Sequence, residues 1–151
     1  MHIGHIYLVE SFNSACEQFV KLIESLQKQG LDQFVIVRNV VLAKRLDAIS
    51  NVTVGPVVRS PVTAYCLMPE VDVVHLHDRA GWQAGLLLTL TKSIPFVLTR
   101  QEPASVPGNA LTRSILKRAS RVIDQNRISV AEHLRIYRRA ADSLRVPTML
   151  L

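Results

Sequence analysis

The chain has 151 residues, 48% hydrophobic and 20% charged, with 18 Lys+Arg against 12 Asp+Glu for a formal net charge of +6. That length buries a self-sufficient core without disulfide or metal staples, and the composition is too apolar for a disordered chain. The longest nearly apolar stretch, Ala84 to Thr91, falls well short of the ~18 residues of a membrane-spanning helix, so a single globular domain over residues 1–151 is expected.

Ile3 to Val9 is apolar and partly β-branched and reads as a buried strand running into a polar loop, Glu10 to Asn13. Ser14-Ala-Cys-Glu17 has the form of a capping box, followed by a helix with Ala15, Phe19, Leu22, Ile23 and Leu26 on one face and Gly30 at its end. Glu17/Lys21 and Glu24/Lys28 have the favourable four-residue spacing. Phe34 to Val37 is a second strand, Val40 to Ile49 a short helix and Val52 to Val54 a third strand. Ser60-Pro61 opens a helix that stops before Pro69. Val71 to His75 is an apolar strand, Ala80 to Lys92 a helix, and Pro95 to Thr99 a strand. Asn109 to Ala119 is helical, Arg121 to Asp124 a strand and Ser129 to Ala141 the last helix, with the apolar tail Val146 to Leu151 as a further strand.

Strands alternating with helices, each strand apolar on both faces, predict a Rossmann-like doubly wound parallel sheet of the α/β class. Ligands of such sheets sit beyond the carboxyl ends of the strands. The residues placed there are Glu10 to Asn13, Arg38-Asn39, His77 to Arg79, Thr99 to Glu102 and Gln125 to Arg127.

His75 and His77, two apart, point to one face of a strand. No third ligand stands at characteristic spacing, so no metal is expected; the split reading makes His75 a hydrogen-bonded core residue and turns His77 with Asp78 toward a cleft. In Gly81-Trp-Gln-Ala-Gly85 the glycines allow close helix-to-sheet approach, while Trp82 either packs or stacks on a ligand. Glycine-rich phosphate loops and the G-x-S-x-G elbow are absent from the sequence. Cys16 and Cys66 have no ligand-spaced neighbour and are expected as buried core thiols.

The positive charge is local. Residues 113 to 145 hold nine basic and three acidic residues, and residues 1 to 112 are neutral. Val130, Leu134, Tyr137 and Ala141 define the core face of the last helix and leave Arg135, Arg138 and Arg139 on the other. Those arginines form either a solvated face or a contact with an anionic membrane surface; nucleic acid is disfavoured, because Tyr137 is the one aromatic residue of the segment. No Lys or Arg precedes Lys21, so no signal peptide is expected, and the setting anticipated is cytoplasmic, peripheral on the inner membrane face if the arginines dock.

Asp72-Val-Val-His75-Leu-His77-Asp78, Gly81-Trp-Gln-Ala-Gly85-Leu, Ile94-Pro-Phe-Val-Leu-Thr99, Arg118-Ala-Ser-Arg-Val-Ile-Asp124 and Val130-Ala-Glu-His-Leu134, in that order, resemble the amino-terminal, acceptor-side domain of family 4 glycosyltransferases of the GT-B fold. The resemblance implies half of a sugar-transfer enzyme, making a cell-surface polysaccharide or lipopolysaccharide, whose nucleotide-sugar is bound by a separate donor-binding domain or subunit. Under it His77 and Glu102 are the catalytic candidates, and Glu10, Asn13, Asp78, Arg79, Trp82, Arg100 and Gln101 line the acceptor side, Arg100 holding anionic groups. Departures are the lack of a glycine pair after the first strand, Gln101 where a histidine is usual, and Asp124-Gln-Asn-Arg127 where a serine is common. The donor-side glutamate pair is missing too, so the chain alone is expected to be catalytically silent, either an excised half or a natural half working with a partner. No cofactor is expected. The alternative is a non-catalytic module docking through its basic quarter on a membrane or protein.

Overall fold

The computed structural model describes residues 1–100, 109–124 and 128–143. Six strands form one parallel sheet: β1 (His2–Tyr7), β2 (Asp32–Val37), β3 (Val52–Val54), β4 (Val73–Leu76), β5 (Phe96–Arg100) and β6 (Arg121–Asp124). Their order is β3-β2-β1-β4-β5-β6, which is the doubly wound, Rossmann-like arrangement that the alternation predicts. The order reverses between β1 and β4, where Ile3, Gly4, His5 and Ile6 lie beside Val73, Val74, His75 and Leu76.

The pleat divides the side chains between two layers. Ile6, Val74, Leu76, Phe96 and Leu98 form the larger core with α3 (Pro61–Leu67), α4 (Trp82–Leu87) and α5 (Ala110–Arg118). On the opposite face, α1 (Ser14–Lys28) and α2 (Val40–Asp47) cover Tyr7, Val35 and Val37, while α1 and α6 (Val130–Ser143) cover Ile3, Val73, Val97 and Ile123. His5 of β1, His75 of β4 and His77 just beyond β4 face this second layer, because they share the parity of Ile3, Tyr7 and Val73.

Local signals act largely as read, with shifts of detail. The cap of α1 is Asn13 rather than Ser14: Asn13 keeps an extended backbone and its Oδ1 accepts from the Cys16 N–H at 3.1 Å, so Ser14 is already helical. Gly30 ends that helix at φ +74°. Glu17 turns to Arg45 of α2 in a two-pronged pair at 2.7 and 3.0 Å, not to Lys21, because a guanidinium fork fits both carboxylate oxygens. Ser60 caps α3 with Pro61 in its first turn. The Ala80 to Lys92 helix is three pieces, a 3₁₀ turn (Arg79–Gly81), α4, and a π turn (Leu88–Lys92). Cys16 is buried as expected, but Cys66 is exposed because it lies on the solvent side of α3. The tail after residue 143 lies outside the described residues.

Candidate functional site

Four of the chain's five histidines converge under the α1/α6 layer, at the carboxyl end of β1 and β4. His75 is fully buried, and its two ring nitrogens meet the hydroxyls of Tyr137 on α6 (Nδ1, 2.7 Å) and Thr99 on β5 (Nε2, 2.6 Å). His77 stacks beside it with ring centroids 3.7 Å apart, and His5 Nδ1 lies 3.0 Å from His77 Nε2. His133, in the first turns of α6, lies 6.0 Å from His75 between ring centroids.

Burial sets the protonation of this group. Taking an imidazolium out of water costs more than these neutral partners return, so His5 is driven down to about 3, and His75 and His77 fall well below the ordinary imidazole range. His133 is lowered for the same reason, against the opposing pull of the Ser129 carbonyl. Burial also holds the Tyr137 hydroxyl protonated, above the usual phenol range. At neutral pH the cluster therefore presents lone pairs.

A cavity of about 290 Å³ opens over the cluster. Its walls are Tyr7, Ala15, Phe19, Leu22, Ile123, Ile128 and Val130, and its polar groups are Gln18, Lys21, Ser25, His77, Thr99 and His133. The tautomer of His133 is fixed: Nδ1 lies 3.0 Å from the Ser129 carbonyl, which can only accept, so Nδ1 carries the proton and Nε2 is basic. An imidazole oriented by a carbonyl on one nitrogen and keeping a lone pair on the other is equipped to take or give a proton.

No family model matches the chain, and no curated protein sequence matches it. Among solved structures, the crystal structure of phenylacrylic acid decarboxylase from Aquifex aeolicus superposes on 99% of this chain and 99% of that one, with a TM-score of 0.50 and 13% sequence identity. The likeness is one of fold.

That comparison corrects the resemblance drawn from the ordered motifs. The motifs follow from a parallel sheet with short strand-to-helix turns, and the protein matched end to end is a decarboxylase of equal extent rather than half of a sugar transferase. The acceptor-side roles and the donor-binding half rested on that resemblance and have no other support. Neither does the comparison support the alternative of a non-catalytic docking module.

Of the residues singled out in the sequence, His77 lines the cavity. Asp78 lies beside it in sequence, but its Oδ1 accepts from the Leu8 N–H at 3.0 Å and ties the end of β1 to the turn before α4; burial raises its carboxyl to about 6 against the pull of that amide. Glu10 is exposed and paired with Arg38 at 2.8 Å, and Asn13 is occupied as a cap. Arg79 is exposed, and Arg100 ends β5. Trp82 packs among Ile6, Leu76 and Phe96 on the other side of the sheet, so it does not reach the cavity. Arg135, Arg138 and Arg139 are exposed on α6, with Arg135 3.4 Å from Glu132. Gln101, Glu102 and Gln125 to Arg127 lie outside the described residues. Among the described residues no helix is long and apolar enough to cross a membrane.

Sequence reasoning missed His5 and His133, whereas Thr99, placed at a strand end, does line the cavity. A histidine inside an otherwise apolar strand was the available signal for His5. For His133 it was the i to i−4 step from Ser129, which places a carbonyl under the ring.

Proposed function

We propose that the chain is a small-molecule enzyme whose α1/α6 cleft takes a compact, largely apolar organic acid and whose His133 moves a proton on it. The observation that carries this reading is the His133 ring, its Nδ1 spent on the Ser129 carbonyl and its Nε2 basic in an apolar-walled cavity at the reversal of strand order. Tyr7, Phe19 and Leu22 suit an aromatic or branched body, and Lys21, the cation among the described cleft-lining residues, suits its carboxylate. The whole-length likeness to a phenylacrylic acid decarboxylase supports an acid of that size as the first probe and decarboxylation as the first reaction to assay.

Calorimetric titration with phenylacrylic acid and a set of smaller aliphatic acids tests the binding, and release of carbon dioxide tests the chemistry. Saturable one-to-one binding is expected. His133→Gln keeps that binding within about threefold and lowers turnover by roughly 10²–10⁴-fold, the usual weight of a positioned acid–base group. Failure of every acid to bind, or unchanged turnover in His133→Gln, refutes the reading.

A further inference from the structure

His5, His75 and His77 each offer one ring nitrogen, and the three nitrogens lie within 4.8 Å of one another. The geometry points to a divalent first-row transition-metal site, zinc foremost, held by His5 Nδ1, His77 Nε2 and one nitrogen of His75, with its open position toward the α1/α6 cleft. Zinc takes imidazole nitrogens at ~2.0–2.1 Å in a tetrahedron, which sets neighbouring ligands about 3.3 Å apart. The 3.0 Å between His5 Nδ1 and His77 Nε2 is close to that edge.

The surroundings are those of ligands oriented from behind. Gln33 is buried, and its Nε2 donates to the Ile23 carbonyl at 3.0 Å. That contact fixes the amide, so Oε1 is left as an acceptor. Among the described residues Gln33 Oε1 and His5 Nε2 are both buried without a hydrogen-bond partner. A proton on His5 Nε2 leaves Nδ1 as a lone pair. His77 then ligates through Nε2 with its proton on Nδ1, so binding rearranges tautomers and releases no proton. His75 gives up one hydroxyl to the metal and keeps the other, Tyr137 or Thr99, as the partner that holds its ring. Imidazole donors suit zinc, cobalt, iron and copper rather than magnesium or calcium.

Metal binding is read without any organic acid, so it stands or falls apart from the reading of the cleft. The full chain, stripped with a chelator, is titrated with Co²⁺ alone while visible absorption is followed, then with Zn²⁺. One equivalent of cobalt is expected, with the intense bands of a low-coordinate nitrogen site that Zn²⁺ abolishes. His77→Gln weakens binding by more than ~100-fold and Tyr137→Phe by roughly tenfold, while His2→Gln on the surface leaves it unchanged. Spectra no stronger than aqueous cobalt, bands that survive in His77→Gln, or bands lost in His2→Gln overturn the proposal. Should His77→Gln fail to fold by circular dichroism, NMR of the unmodified chain with cobalt decides. Paramagnetic shifts on His5, His75 and His77 uphold the site, and shifts confined to His2 overturn it.

Discussion

A histidine in the middle of an apolar strand carries two polar nitrogens into a place without water. His75 solves this with two hydroxyls from different elements, and His5 and His77 solve it partly with each other. The result is a set of imidazoles that the fold keeps neutral, and this gives stability a definite pH dependence in chelator-treated buffer. Unfolded imidazoles titrate near ~6.5, whereas in the fold His5 titrates at about 3 and His75 and His77 well below the ordinary range. Below pH ~6.5 the unfolded chain takes up protons that the folded chain refuses, so stability is full above that pH and falls beneath it. Each fully buried imidazole contributes up to ~1.4 kcal/mol per pH unit. Asp78 works in the opposite direction, since its carboxyl is raised to about 6 and its protonation favours the fold, but one group opposes three. Urea midpoints measured from pH 7.5 to 4.5 are expected to drop steeply; a flat or rising profile contradicts the burial of this cluster.

At the scale of elements, helix and strand identities were legible because local chemistry decides them: Ser60-Pro61 opens α3, Gly30 closes α1, and strands of branched apolar residues alternate with amphipathic segments. Which face a side chain takes was less legible. Counting from Val130 and Leu134 put Tyr137 and Ala141 correctly inward but overlooked His133, buried one position before Leu134. Polar residues are assigned outward by default, and only the neighbouring helix and sheet show otherwise. The glycine reading of α4 holds: a Cβ on Gly85 would lie 2.6 Å from a Leu76 carbon and 2.9 Å from two ring atoms of Phe96. Gly85→Ala is therefore expected to destabilise the chain by about 1–3 kcal/mol despite the better helix propensity of alanine, through overpacking against β4 and β5. Thermal or urea unfolding of that variant checks it, and equal or higher stability would contradict the close approach.

Across the whole molecule, the site exists because the strand order sets distant residues side by side. His5 and His75 are 70 positions apart in the chain and partners in register, and His133 arrives from a helix near the other end. Alternation of elements predicts a doubly wound sheet, yet the pairing of β1 with β4 is what makes a third imidazole available to the His75/His77 pair. Spacing along the chain does not display it. For the same reason the motif order suggested a sugar transferase: turns and strand ends of a parallel sheet look alike across many enzymes, and function resides in the side chains grafted on them. On the proposed reading, the α1/α6 cleft with His77 and His133 in its wall is where this chain meets its ligand. Long-range proton–nitrogen NMR of the five imidazoles, followed through a phenylacrylic acid titration, tests it most directly. His133 is expected to be protonated at Nδ1 and to keep a lone pair at Nε2 at pH 7, with ligand-dependent shifts at His133 and His77 and none at His2. A His133 protonated at Nε2, or shifts confined to His2, would contradict it.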